Sequence, residues 1–305
     1  MKNSALASRG LMMMGLLLMA RFGWSQDDLL NTLEKAAPAK STYLSSTFNS
    51  TRLINGHTVE TGNRKVLDFI ISHRFGRLNS GAYQFFGLDE AQIRLGLDYG
   101  ITDRLNVGIG RSSYRKMLDG FVKYKVLRQG KEAGQSPVSA VLFASTVYED
   151  ERSPDPNENR PTIERMSYVA QALVARKFNH RLSLQLMPTV VRRNYVKDQT
   201  GPNTLFVLGT GGRLKLTKRT SLNAEYYYRF LPGTTAGYYN SLAIGFDIET
   251  GGHVFQFHLT NSRGMIEKSF ITDTTGNFFK GDIHLGFNIS RSFELGSKKA
   301  APSNY

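Results

Sequence analysis

Residues Glu90–Tyr99 read EAQIRLGLDY, with Ala91, Ile93, Leu95, Leu97 and Tyr99 on one side of an extended chain and Glu90, Gln92, Arg94, Gly96 and Asp98 on the other. A period of two is the side-chain repeat of a β-strand. Strands of soluble sheets average about five or six residues, whereas strands that cross a bilayer at a tilt need about 9 to 11. This run has the longer span. One face asks for lipid and the other for water, which is how a strand of a transmembrane β-barrel reads.

Outward from this stretch the pattern recurs. Strands are predicted near Val66–Phe75, Leu105–Ser112, Asp119–Arg128, Val138–Tyr148, Arg165–Lys177, Leu182–Arg192, Thr204–Leu216, Ser221–Phe230, Tyr239–Glu249, Val254–Asn261 and Phe279–Ser290, twelve in all with Glu90–Tyr99. Their connections alternate in length. Gly100–Arg104, Phe178–Arg181, Thr217–Thr220 and Thr250–His253 are tight, while Gly76–Asp89, Glu149–Glu164, Arg193–Asn203 and Ser262–Phe278 are long and polar. In outer-membrane barrels the short turns face the periplasm and the long loops face outside. An even number of strands closes the sheet and leaves no open edge, which hydrocarbon does not tolerate. The predicted fold is all-β: a transmembrane, antiparallel, up-and-down barrel of about 12 strands, with 14 as the alternative.

A soluble β-sandwich is the competing architecture. It could bury the stripes Leu222/Ala224/Tyr226/Tyr228, Leu242/Ile244/Phe246/Ile248 and Phe255/Phe257/Leu259. It would not ordinarily need strands this long. The opposite faces, Asn223/Glu225/Tyr227/Arg229 and Asp282/His284/Gly286/Asn288, are polar enough to line water.

Four segments are expected along the chain. Residues 1–25 have the layout of a cleavable signal, with Lys2 and Arg9, the apolar run Leu11–Ala20 and the small-x-small triplet Gly23-Trp24-Ser25. Residues 26–65 form a periplasmic arm or lumen plug, with a short helix near Leu29–Lys35 and a turn at Asn55-Gly56. The barrel occupies 66–293 and a polar tail 294–305. Thr42–Ile54 also looks extended, but counting it as a strand would break the even parity.

The chain has 39 Lys+Arg against 25 Asp+Glu, and removing Lys2, Arg9 and Arg21 with the signal leaves 36 against 25, a net charge of +11. An exported basic chain without a long basic run meets lipid phosphates and anionic solutes before nucleic acid, so no nucleic-acid partner is expected. The absence of cysteine excludes a lipoprotein anchor, disulfides and thiolate metal sites.

The strings RLINGHTVE (Arg52–Glu60), ISHRFG (Ile71–Gly76), GLDEAQIRLGLDYGITDRLNVGIGRS (Gly87–Ser112), KYKVLRQ (Lys123–Gln129), FDIETGGHVFQFHLTNS (Phe246–Ser262) and KGDIHLGFNISR (Lys280–Arg291) carry a further signal. Together they resemble an uncharacterised Bacteroidetes outer-membrane β-barrel family, domain of unknown function 5777. The resemblance covers nearly the whole mature chain. It implies an outer-membrane location and insertion by the barrel-assembly machinery, and it supplies no activity and no catalytic residue. Barrels of this kind often end on an aromatic residue recognised during assembly, whereas here Phe293 is followed by a polar tail to Tyr305.

Candidate functional residues lie on the predicted lumen faces: Asp68, Glu90, Arg94, Asp98, Glu225, Arg229, Asp247 and Asp282, with His258 and His284 on neighbouring strands. Charges so placed serve either as a selectivity ring for a charged solute or as ion pairs that staple strands. The two histidines lack the further ligands a metal site needs, so a hydrogen-bonded interior pair is expected, with no metal and no cofactor. His73 falls on the lipid-facing side. A lipid-facing serine hydrolase would need a serine held by a histidine, and the neighbours Ser72 and His73 point to opposite faces. The expected function is therefore a narrow channel or transporter for small polar or anionic solutes, not an enzyme. The alternative is a closed structural or docking barrel that holds a periplasmic or extracellular partner, and a hydrolase ranks below both.

Overall fold

The computed structural model describes residues 43–44, 46–132, 134–152, 160–196, 201–230, 237–250 and 253–296. The expected signal, the Leu29–Lys35 helix and most of the tail lie outside these residues. Twelve strands are present: β1 (Val66–Arg77), β2 (Ala91–Gly100), β3 (Leu105–Ser112), β4 (Met117–Leu127), β5 (Ser139–Glu149), β6 (Met166–Lys177), β7 (Leu182–Arg193), β8 (Thr204–Lys215), β9 (Thr220–Phe230), β10 (Ser241–Thr250), β11 (His253–Thr260) and β12 (His284–Glu294). Each pairs antiparallel with its sequence neighbours, and β1 pairs with β12 from Val66↔Glu294 to Arg77↔His284, so the sheet is a closed barrel. Closure satisfies the main chain without an edge, the condition for crossing hydrocarbon with strands.

Alternation along each strand sorts the side chains. In β2 the burial pattern places Ile93, Leu95 and Leu97 outside and Arg94, Gly96 and Asp98 inside. Leu142, Leu186, Phe206, Ile244, Phe246 and Phe257 are likewise exposed on the outer wall. That is far more contiguous apolar surface than a water-soluble monomer carries. The 101–104, 178–181 and 216–219 connections lie at one end with the start of β1, joined there by the longer 128–138 connection, and the 78–90, 150–165, 194–203 and 261–283 connections lie at the other with the short 113–116 turn.

The last strand departs from the pattern reading, beginning at His284 instead of Phe279. Residues Phe278–Lys280 form a 3-10 turn that ends on Gly281 in the left-handed region, at φ 85°. Asp282 then accepts from Asn277 N and Asn79 Nδ2, both at 2.9 Å, which holds it in the loop. Strand parity is kept, so His284, Gly286 and Asn288 still face inward. The long connection, expected as loop over Ser262–Phe278 and running from 261 to 283 in the structure, contains a short helix, α1 (Glu267–Thr272), with all six residues buried.

Candidate functional site

The lumen is divided. Along β4 to β9 the inward side chains include Phe121, Val141, Phe143, Leu173, Met187 and Tyr227, all buried. These inner faces carry large apolar side chains among their polar ones because they pack on protein instead of water. The packing comes from the arm, through Phe48, Leu53 and Val59, and from the long loop, through Phe270 and Ile271, all in one cluster with the wall. Burying each such side chain contributes about 1.5–3 kcal/mol. The segment 46–65 thus fills the barrel from the short-turn end, and α1 enters from the long-loop end.

The arm has no strand or helix of its own among the described residues. Its local order is a reversal at Leu53–Gly56, where Leu53 N donates to Gly56 O at 2.8 Å and Arg52 bridges His57. Its main chain must therefore find other partners, since a buried unpaired N–H or C=O is costly. Wall side chains supply them. Glu225 accepts from Asn55 N and Gly56 N at 2.9 and 3.2 Å. Gln185 accepts from Val59 N at 2.9 Å and donates to His57 O at 2.8 Å. Gln256 donates to Leu53 O at 2.9 Å, Asn288 to Ile54 O at 2.9 Å and Lys123 to Glu60 O at 2.5 Å, while Asn106 accepts from Gly62 N at 2.6 Å. Two glycines allow the close approach: a Cβ on Gly56 would strike the Tyr227 hydroxyl, and one on Gly211 would strike Leu53.

The charged candidates have divided fates. Arg94 is 1% exposed and forms a fork with Asp119, Nε to Oδ1 at 2.9 Å and Nη2 to Oδ2 at 2.5 Å. Asp98 is buried nearby, within the field of Arg52, Arg94 and Lys123. Asp68 accepts from Ser292 at 2.5 Å, and Asp247 from Gln256 at 2.9 Å. Arg229 donates through Nε to Asn240 at 3.3 Å. Glu225 is an anchor of the arm. Two expectations are corrected. Glu90 precedes β2 and is exposed at the long-loop rim, paired with Arg263. Asp282 sits on the same rim, 3.4 Å from Arg77. In both cases the residue lies just beyond the point where strand alternation begins.

His258 and His284 are both buried on the inner face but do not bond to each other. His284 Nδ1 lies 2.8 Å from Phe75 O, whereas His258 sits over Gly286 beside Arg74. Arg74 donates to Asn55 Oδ1 at 2.6 Å and is a further anchor of the arm. His73 faces outward, stacked on Phe287 at 4.9 Å. Ser72 is buried on the inner side, so the two neighbours do not meet. Arg74, Asn106, Asp119, Lys123, Gln185, Gln256 and Asn288 are the site residues that pattern reading missed. Each is an inward polar residue; Asp119 is selected by Arg94 across β3, and the others only by the path of the arm.

The two closures touch. Arg52 Nη1 lies 3.8 Å from Glu267 Oε1 and donates to Asn55 O at 3.1 Å. Burial, together with the charges of Arg52, Lys123 and Arg94, holds the His57 imidazole well below its ordinary value. Its Nε2 lies 3.9 Å from Glu267 Oε1, a distance beyond hydrogen-bond range. Phe270 packs on Tyr227 with ring centres 4.8 Å apart. At the rim the loop is tied by Lys268 to Glu149 and Asp273, at 3.1 and 2.9 Å, and by Arg115 to Glu149 and Asp273, at 2.5 and 3.4 Å. Burial pushes the Asp273 carboxyl up, but Lys268 and Arg115 outweigh it and hold it below its ordinary value.

A family model described as a membrane bound beta barrel domain, domain of unknown function 5777, matches residues 48–293. No curated protein matches the chain. Among solved structures, the KdgM porin aligns over 75% of this chain and 99% of its own, at 9% identity and a TM-score of 0.43. Omp33 of Acinetobacter baumannii aligns over 76% and 100%, at 10% identity and 0.40. Outer membrane phospholipase A from Escherichia coli aligns over 74% and 92%, at 10% identity and 0.42.

Proposed function

Because the chain belongs to the family of membrane bound beta barrel domains, we propose that it is an outer-membrane barrel closed at rest by its own arm and long loop, acting as a structural or docking barrel. The observation that carries this is the stitching of the arm's main chain to the wall by Glu225, Gln185, Gln256, Asn288, Lys123 and Asn106. A segment held at so many points, with three apolar side chains in the common core, is part of the resting structure. The short-turn end and the arm then face the periplasm, and the long loops face outside. In this reading the protein is exported by a signal at residues 1–25, is inserted by the barrel-assembly machinery, meets its partners at the loops or the periplasmic end and performs no catalysis.

A narrow channel for small polar or anionic solutes is the second reading. What favours it is the thin contact between the closures, since the Arg52–Glu267 approach is longer than a hydrogen bond. Single-channel recording in planar bilayers separates the two. The intact protein is expected to be silent, and deletion of 46–65 either to open a steady conductance or to prevent assembly, read by heat-modifiable migration. Steady, ion-selective conductance of the intact protein overturns the closed-barrel reading.

A further inference from the structure

The outer wall over β4 to β8 is not a uniform apolar cylinder. Two contiguous depressions of about 540 and 590 Å³ share Ala170 and Val190. Ligand pockets commonly hold about 300–1,000 Å³. The register explains their origin. One cross-strand row is Gly120, Thr146, Tyr168, Arg192 and Thr204, and the next is Val122, Ala144, Ala170, Val190 and Phe206. The third contains Leu142 opposite Ala172, and Pro188 opposite Leu208. Small side chains at Gly120, Ala144, Ala170 and Ala172 form the floor, and Leu142, Tyr168, Phe206 and Phe230 stand up as walls.

The β6–β7 ladder is interrupted beneath this floor, where Ala172 and Leu173 face Met187 and Pro188. Pro188 has no N–H to donate. The first row belongs to the long-loop end and the third lies two residue pairs deeper, about 14 Å along the strands. Barrel strands tilt by about 45°, so the trough reaches about 10 Å in depth, within the outer half of a hydrocarbon core about 30 Å thick. At the shallow end stands Arg192, exposed, donating to the neutral Thr204 hydroxyl at 3.0 Å. An apolar trough that runs into one leaflet, headed by a cation at the interface, complements an amphiphile with an acyl chain and an anionic head.

We propose that this groove binds one lipid of the outer leaflet whose phosphate-bearing head is net negative, with an acyl chain along Ala144, Ala170 and Ala172 and the phosphate on Arg192. The assignment rests on the long-loop end facing outward, as in the function proposed above, but not on whether the lumen conducts. Native mass spectrometry of the full protein in detergent tests it, with diphosphoryl lipid A and phosphatidylcholine as probes. The wild type is expected to retain one lipid A with a preference of about fivefold or more over phosphatidylcholine. Arg192→Glu should abolish the preference. Ala144→Phe combined with Ala170→Phe should abolish retention, while Ala224→Phe, outward on β9 and away from the groove, behaves as wild type, all three migrating as folded, heat-modifiable barrels. Equal retention in the filled variant overturns the site. So does a loss of dimers without loss of lipid, which would assign the groove to a second copy of the chain.

Discussion

At the scale of single residues, the interior charges act as paired or hydrogen-bonded fixtures. Arg94 illustrates this, since its fork to Asp119 staples β2 to β4 across β3. Arg94→Ala strands a buried carboxylate and is expected to cost about 3–5 kcal/mol, read by denaturant unfolding from lipid vesicles. Replacing Arg94 and Asp119 together by leucine should restore most of that loss, because the pair's desolvation penalty goes with it. Asp273 supplies a pH signature. Its folded pKa is depressed, so its contribution is complete above the ordinary value of 3.8 and is lost as pH falls through the lower folded value. Protection of residues 261–283 from hydrogen exchange should therefore be flat at pH 5 and above and collapse in strong acid. Asp273→Asn should be less protected at pH 5 and have a shallower acid transition.

At the scale of elements, the arm shows how a segment without secondary structure is held inside a protein. Its amides and carbonyls are completed by side chains of β3, β4, β7, β9, β11 and β12, so the wall acts as a template that the arm reads. Glu225→Ala removes the acceptor of two buried amides, each costing about 1–3 kcal/mol when orphaned. Exchange of the Asn55 and Gly56 amides should speed up by tenfold or more, with the strand ladders unchanged. An unchanged rate at both amides would remove Glu225 from the anchoring set. The strands were legible because alternation is local. Asn55-Gly56 also reads as a reversal from composition alone. The helix at Glu267–Thr272 was not legible, because six residues make a marginal helix and its burial comes from the lumen around it.

At the scale of the molecule, the barrel presents its exposed apolar belt to lipid and keeps its polarity inside. A charge placed at mid-height on that belt should be penalised. Leu95→Arg, outward in the middle of β2, is expected to destabilise the protein by about 2–4 kcal/mol in vesicles. A neutral effect would mean that this face does not meet hydrocarbon.

The sequence by itself determined the antiparallel barrel architecture, a count of about twelve strands and, within the strands proper, which side chains point in. Each follows from a period of two, an alternation of turn lengths and the intolerance of hydrocarbon for an open edge. The tertiary structure alone decided what occupies the lumen and which inward residues matter. Asp119 partners Arg94, Gln185 and Gln256 receive the arm, and Glu90 and Asp282 fall on the rim. The physical reason is range. Facing direction is set by a residue's immediate neighbours, whereas the partner of an inward polar group is a segment distant in sequence, reached only once the sheet has closed around it.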